Sequence, residues 1–203
     1  MAEAPFAESA ARNAAPILET LRREFRVCSH VLEIGSGTGQ HAVAFGRELP
    51  HLQWQTSDLE ENHAGIRAWL AQARPDNVHA PLSLDVRSAA LEAASFDAVY
   101  SANTAHIMGM DAVRAMFALV GQVLNANGVF CLYGPFRIGG NFNSPSNAAF
   151  DAELRMRDPA MGIRDLESLD RAAAGSGLLR RRLYALPSNN HVAVWSKDAR
   201  GSA

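Results

Sequence analysis

Cysteine is scarce, net charge is close to zero and long apolar runs are missing, and each shortage removes a class of protein. Only Cys28 and Cys131 occur among 203 residues. They lie far apart in apolar sequence, which gives neither a disulfide framework nor a metal ligand set. Two buried free thiols in a reducing compartment are expected. The charges nearly cancel, leaving a formal net charge of -2. The chain therefore lacks the basic footprint of a protein that holds nucleic acid by electrostatics, and no nucleic-acid partner is expected. No apolar stretch approaches the roughly 20 residues that span a bilayer. Residues 1–9 carry two glutamates and no basic residue before an apolar run, unlike a secretory signal. No membrane association and a cytoplasmic address are expected.

With 48% apolar and 20% charged side chains, the composition is that of an ordinary globular protein. The length suits one substantial α/β domain and is short for two, so residues 1–203 are expected to form a single domain. Residues 13–25 read as a helix, with Ile17, Leu21 and Phe25 on one face and Pro16 in its first turn. Residues 30–34 form an apolar run that breaks on a glycine-rich turn, the pattern of a buried strand. A helix over 39–49 follows, burying Ala42, Phe45 and Leu49. Further strands are expected over 52–56, 78–84, 98–102 and 129–133, with helices over 62–73 and 111–124. Asn127-Gly128 ends the connection before the fifth strand. This alternation points to a parallel sheet covered on both faces.

Residues 134–177 leave that rhythm. A Gly/Pro/Asn-rich stretch over 134–146 precedes helices near 145–157 and 165–174, and the segment reads as a substrate lid or insert. Residues 178–186 and 191–197 are expected to be two final strands joined by Pro187-Ser-Asn-Asn190, a turn short enough to make them antiparallel. Five parallel strands and an antiparallel pair depart from the all-parallel sheet of dinucleotide dehydrogenases. They match the Rossmann-like class I fold of methyltransferases that use S-adenosylmethionine (SAM): a seven-stranded, mostly parallel sheet with an antiparallel terminal hairpin and helices on both faces.

The chemistry centres on Val31-Leu-Glu-Ile-Gly-Ser-Gly-Thr-Gly-Gln40. Gly35, Gly37 and Gly39 let the backbone pass close to a ligand, and the helix beyond presents free N–H groups. A dinucleotide fingerprint requires glycine at position 40. Gln40 stands there, so G-x-G-x-G holds and G-x-G-x-x-G fails, and Glu33 before the turn also suits a methyltransferase. Asp58, with Leu59 beside it, ends the second strand where a ribose-binding carboxylate belongs; a helix N-cap is the alternative. Asp85 ends the third strand, placed to accept from an adenine amino group with Val86 flanking the ring, or else an ordinary turn aspartate. Asn103 ends the fourth strand, facing the methionine half of the cofactor.

Several blocks carry a more specific resemblance: Ala11-Arg-Asn-Ala-Ala-Pro-Ile17, Val31 to His41, Leu132-Tyr-Gly-Pro-Phe136, Ser144-Pro-Ser-Asn-Ala-Ala-Phe-Asp151, Arg157-Asp-Pro-Ala-Met-Gly-Ile-Arg-Asp165 and Pro187-Ser-Asn-Asn190. Over nearly its whole length the chain resembles the domain-of-unknown-function 938 family, which includes the methyltransferase-like 26 proteins. The resemblance implies the class I fold and SAM as cofactor, and brings no substrate. Gly35 stands where many relatives are expected to carry alanine, a change read as mild.

Methyl transfer is an in-line displacement at a sulfonium carbon, so positioning and a dry pocket supply much of the acceleration. A general base is needed only if the acceptor arrives protonated. His106, at the carboxyl end of the fourth strand, is the first candidate for a base or substrate contact, and Tyr133 at the end of the fifth supplies a hydroxyl or an aromatic wall; packing is the alternative for both. Arg12 and Asn13 close over the cofactor or hold a substrate carboxylate, unless Asn13 is an N-cap. Arg137, Asn147 and Asn190 are candidate substrate contacts, Arg137 and Asn147 in a segment that also offers Ser144 and Asp151, with glycine hinges suited to a mobile cover. His41 reads as a helix-surface or packing residue, and His30, His51, His63, His79 and His191 have no supporting context. Arg180-Arg-Arg182 reads as solvated or paired charges.

The leading expectation is a SAM-dependent methyltransferase acting on a small molecule at oxygen or nitrogen, with no metal and with a homodimer left open. A SAM-binding sensor or partner protein without catalysis is the alternative. A nicotinamide-dependent oxidoreductase is third, disfavoured by Gln40 and the terminal hairpin.

Overall fold

The computed structural model describes residues 4–198. Residues 1–3, part of the start read above as unlike a signal, and residues 199–203 lie outside the described residues. In chain order the main elements are α1 (Glu8–Glu24), β1 (His30–Ile34), α2 (Gln40–Glu48), β2 (Gln53–Asp58), α3 (His63–Ala73), β3 (Val78–Ser83), β4 (Phe96–Ala102), α4 (Met110–Val123) and β5 (Leu124–Gly134). There follow β6 (Phe136–Ile138), β7 (Asn141–Phe142), α5 (Pro145–Arg157), β8 (Arg164–Asp165), α6 (Leu166–Ala174), β9 (Leu178–Leu186) and β10 (Asn190–Lys197).

Seven strands form one sheet in the order β3-β2-β1-β4-β5-β10-β9. Strands β1 to β5 pair in parallel. β10 runs antiparallel to both β5 and β9, so it alone is reversed and β9 points the same way as the first five. The expected seven-stranded sheet with its antiparallel terminal hairpin is therefore present. The strand order turns back at β1, which has β2 on one side and β4 on the other. Such a switch point opens a crevice outside the carboxyl ends of the strands.

Continuous apolar strands make two cores, because successive side chains point to opposite faces. Val31, Tyr100, Cys131, Tyr133, Val192 and Val194 pack under α1 and α2. Their neighbours Leu32, Val99, Phe130, Leu132, Ala193 and Trp195 pack under α4 and α6. Phe117 of α4 sits edge-on to both Phe130 and Trp195, with centroids 5.4 and 5.2 Å away. Cys28 and Cys131 are buried free thiols; burial pushes the Cys28 thiol up to about 11. No described helix is long and apolar enough to cross a membrane.

Three elements differ from the expectation. α1 begins at Glu8 rather than 13, so Pro16 lies inside the helix and Asn13 cannot be its N-cap. Proline leaves the Arg12 carbonyl without its helical donor. Distant groups hold the early turns in place: Gln40 bonds the backbone of Ala7, and the His41 ring bonds the Ala10 carbonyl. β5 follows α4 directly, and Asn127-Gly128 falls within the strand as an irregularity between the pairs Phe96–Leu124 and Ala98–Val129. Asn127 takes a left-handed φ of 63° there, and Asn125 Nδ2 donates to the Asp97 carboxylate across the bulge. Within 134–177, β7-β6-β8 form a small second sheet that periodicity did not reveal, because two- and three-residue strands show no period.

Candidate functional site

β1 ends in a loop whose glycines are required by geometry. Gly35 has φ +74°, and a Cβ there would lie 2.5 Å from Thr104 Cγ2. At Gly39, φ is +89° and a Cβ would meet the Ile66 backbone at 3.0 Å. The Gly35 and Ser36 N–H groups donate to the Ser57 carbonyl, and the Gly37 N–H donates to Asp58 Oδ2 at 2.7 Å. Alanine at 35 is thus not mild on this backbone. Gly35→Ala is expected to destabilise the protein by about 1–2 kcal/mol from the left-handed φ alone, read as a lowered urea midpoint; an unchanged midpoint would show that the loop accepts a Cβ.

The larger cavity, about 670 Å³, lies beside this loop at the carboxyl ends of the strands. Asp58, Leu59, Asp85, Val86 and Asn103 all line it. Asp58 is buried, and its Oδ1 accepts from the Leu59 N–H and Asn62 Nδ2, each at 2.8 Å. It does not cap α3, whose N-cap is Asn62. Asp85 makes the turn bond of its alternative reading, accepting the Arg87 N–H at 3.0 Å, and also pairs with the Arg87 guanidinium. Those bonds hold its carboxyl down at about 2. Leu84, Val86, Met108 and Ala112 give the cavity apolar wall.

A smaller cavity of about 190 Å³ shares Gly35, Gly37, Ala102 and Asn103 with the first. Its floor includes Glu33, and its other walls include Ala7 and Ala10 from the start of α1. Glu33 is 1% exposed. Ser36 Oγ and Trp54 Nε1 both donate to its Oε2, at 2.9 and 3.1 Å, and among the described residues nothing bonds its Oε1. Burial raises its pKa to about 7, against the pull of those two hydrogen bonds. Asn103, at φ 58°, lies where the cavities join, its N–H bonded to the Tyr133 carbonyl at 2.9 Å.

The remaining candidates are dispersed. His106 is buried edge-on to Phe150 and lines neither cavity. Burial, with the Arg164 charge, lowers its pKa to about 4, so the ring is neutral at ordinary pH. Tyr133 is packed in the core under α1; burial raises its pKa, opposed by the nearby Asn190 side chain and the Arg12 charge. Arg12 is exposed and Asn13 is buried on the inner face of α1. Asn147 is engaged structurally: its Nδ2 donates to Asn143 Oδ1 and the Asn189 carbonyl, and its N–H donates to Ser144 Oγ, the cap of α5. Asp151 is likewise tied to Arg155 and the Ile163 N–H. Arg137 lies over the Phe142 ring in the small sheet, away from both cavities.

Three residues were missed as parts of this site. His63 Nε2 lies 3.1 Å from the Asp58 carbonyl and 3.2 Å from the Leu82 carbonyl, joining the ends of β2 and β3. Arg164 bonds the carbonyls of Ala105, Met108 and Ala160, which fixes the loop after Asn103. Gln40, noted only as a broken fingerprint, fastens α1. No motif flags such roles, because each joins segments distant in sequence. Among the described residues no group of three or more His, Cys, Asp or Glu could hold a metal.

Comparison with known proteins agrees with this architecture. Residues 4–197 match the family model described as "Protein of unknown function (DUF938)". Among solved structures, the SAM-dependent methyltransferase SibL superposes with a TM-score of 0.79 at 18% identity, covering 94% of this chain and 56% of that one. An O-methyltransferase family protein from Burkholderia thailandensis gives 0.81 at 13% identity, covering 95% and 58%. Human N-acetylserotonin methyltransferase, solved with SAM, gives 0.79 at 12% identity, covering 94% and 53%. The chain thus spans a little over half the length of these proteins, and at such identities the likeness is one of fold.

Proposed function

The chain belongs to the DUF938 family of proteins of unknown function, and from that premise and the joined cavities we propose that it is a SAM-dependent methyltransferase acting on a small-molecule oxygen or nitrogen acceptor. The observation that carries this reading is the meeting of two cavities at Asn103, over a G-x-G-x-G loop at the switch point of the sheet. The larger has room for a nucleoside with an apolar wall for a base. The smaller has room for a short tail, with a buried carboxyl whose second oxygen is free to meet a cation.

In this reading Asp58 and Leu59 hold the ribose, Asp85 and Val86 the adenine, and Glu33, Gly35, Gly37, Gly39 and Asn103 the methionine half. Arg12 and Asn13 cover that end. Bound SAM supplies a methyl carbon already activated by its sulfonium. Tyr133, beside Arg12 and Asn190, is assigned to the acceptor. His106 is assigned as a neutral contact rather than a base, because a group of pKa about 4 accepts protons poorly near neutrality. Arg137 keeps only a place in the cover formed by 134–177, and Asn147 acts through the Asn143–Asn189 contact. The net charge of -2 supports a small acceptor over nucleic acid. A single unit over 1–203, the methyltransferase-like 26 grouping, a second copy as partner and a cytoplasmic address belong to the same proposal.

Calorimetric titration with SAM, its demethylated product S-adenosylhomocysteine (SAH) and NAD tests the cofactor. Micromolar binding of the first two and weaker binding of NAD is expected; preference for NAD overturns the reading. A SAM-binding protein without catalysis is the second reading, favoured by the buried, neutral His106. Turnover of SAM to SAH with any acceptor from a small-molecule screen removes it.

A further inference from the structure

Gln40 occupies the position where a dinucleotide site has its third glycine, and its side chain is engaged. The Ala7 N–H donates to Gln40 Oε1 at 2.5 Å, and Gln40 Nε2 lies 3.4 Å from the Ala7 carbonyl. Thr38 Oγ1 donates to the same Oε1 at 3.0 Å, orienting the amide. Two further groups grip the same segment by its main chain. The Trp69 indole N–H donates to the Pro5 carbonyl at 2.7 Å. The His41 ring reaches the Ala10 carbonyl at 3.0 Å, while its other nitrogen lies 3.2 Å from the Tyr100 hydroxyl. The Pro5 ring rests on α3 at Gly65, where a Cβ would come within 2.8 Å of it.

Residues 5–10 therefore form a strap tied down by side chains of α2, which continues from the glycine loop, and of α3, whose Ile66 backbone packs against that loop at Gly39. Ala7 and Ala10 of this strap wall the smaller cavity. At about 190 Å³ the space falls below the roughly 300 Å³ at which pockets begin to enclose a drug-sized ligand. An amino-acid tail fits such a space. The second nucleotide of a dinucleotide, itself drug-sized, needs the strap out of the way.

We propose that Gln40 and Trp69 determine cofactor specificity by latching this strap, so that the site takes a nucleoside bearing a short amino-acid tail and refuses a dinucleotide. The inference rests on the SAM reading and adds to it which residues impose the choice. The latch acts on the tail alone: the larger cavity, with Asp58 and Asp85, contains none of the strap residues.

The test is titration of wild type, Gln40→Ala and Trp69→Phe with SAH, adenosine and NAD, each variant first shown to melt within a few degrees of wild type. Trp69→Phe keeps an aromatic ring while removing the indole donor, so it serves if Gln40→Ala folds poorly. With one or two hydrogen bonds lost, SAH affinity is expected to fall about tenfold in Gln40→Ala and about threefold in Trp69→Phe. Adenosine, which has no tail, is expected to bind all three proteins within twofold of one another, and the ratio of NAD to SAH affinity is expected to rise in both variants. Equal losses for SAH and adenosine would show a general structural role and overturn the proposal. So would SAH affinity unchanged in both variants. A wild type that binds no SAH overturns the SAM reading and this inference together, whereas a wild type that binds SAH with unresponsive variants overturns the latch alone.

Discussion

Asp58→Ala is expected to lower SAH affinity ten- to hundredfold or more, with little loss of overall stability. The carboxylate takes three donors from the protein itself: the Gly37 N–H, the Leu59 N–H and Asn62 Nδ2. Those bonds aim it into the cavity and fix the glycine loop against the end of β2. A carboxylate accepts about four hydrogen bonds, so room remains for a ribose hydroxyl, and rearrangement of Asn62 opens room for a second. A hydrogen bond to a charged group contributes about 1.5–3 kcal/mol, which sets the lower end of the range, and loosening of Gly37 adds to it. The donors left behind border the cavity, where water can replace the carboxylate, so the cost to folding is small. Calorimetry beside urea denaturation separates the two effects. A change in affinity under threefold would remove Asp58 from the cofactor site.

Glu33→Gln should stabilise the ligand-free protein at alkaline pH while weakening SAM binding there. Folding raises the Glu33 pKa from 4.5 to about 7, chiefly by burial. The folded state therefore holds a proton over that interval which the unfolded chain has released. Stability from this group is full below about pH 4.5 and is lost as pH rises through about 7. Glutamine keeps an acceptor for Ser36 and Trp54 and cannot ionise. The variant's advantage should thus grow between pH 5 and 8, towards about 2–3 kcal/mol. Under the proposed function the cofactor's positive tail favours ionised Glu33, so SAM binding by wild type should tighten across the same interval and release a proton. Binding by the variant should be weaker at pH 8 and flat with pH. Parallel stability curves for the two proteins from pH 5 to 8 would show that Glu33 does not titrate there.

The strands and the glycine loop were legible because their signals are local. An apolar run ending on G-x-G-x-G needs no distant partner to be read, and α4 declares itself by one stripe of side chains. α1 was read five residues short because Pro16 resembles a first-turn proline, and what stabilises the earlier turns is Gln40 and His41, more than thirty residues away. Asp58, Asp85 and Asn103 stood out by their places at strand ends, and topology brings all three to the wall of the larger cavity. The contacts of Asn147 were hidden for the converse reason: a polar side chain in a loop-rich segment looks available, and only the fold brings Asn143 and Asn189 to its amide. His63 gave no sign in the sequence, since the two groups at its Nε2 are carbonyls, which every residue carries, and its Nδ1 faces only the exposed Glu60 carboxylate at 3.5 Å.

Both borders of the seven-stranded sheet are closed to an incoming strand. β9 carries Arg180, Arg181 and Arg182, held by Asp170, Ser196 and Glu24. A bulge in its pairing with β10, between Val194 and Trp195, bends that border. On the opposite border β3 contains Pro81, which has no N–H to offer. Charge, curvature and a missing donor are the means by which sheets escape aggregation through their edges. Copies of the chain are therefore expected not to pair edge to edge through this sheet, and a dimer would have to use another surface.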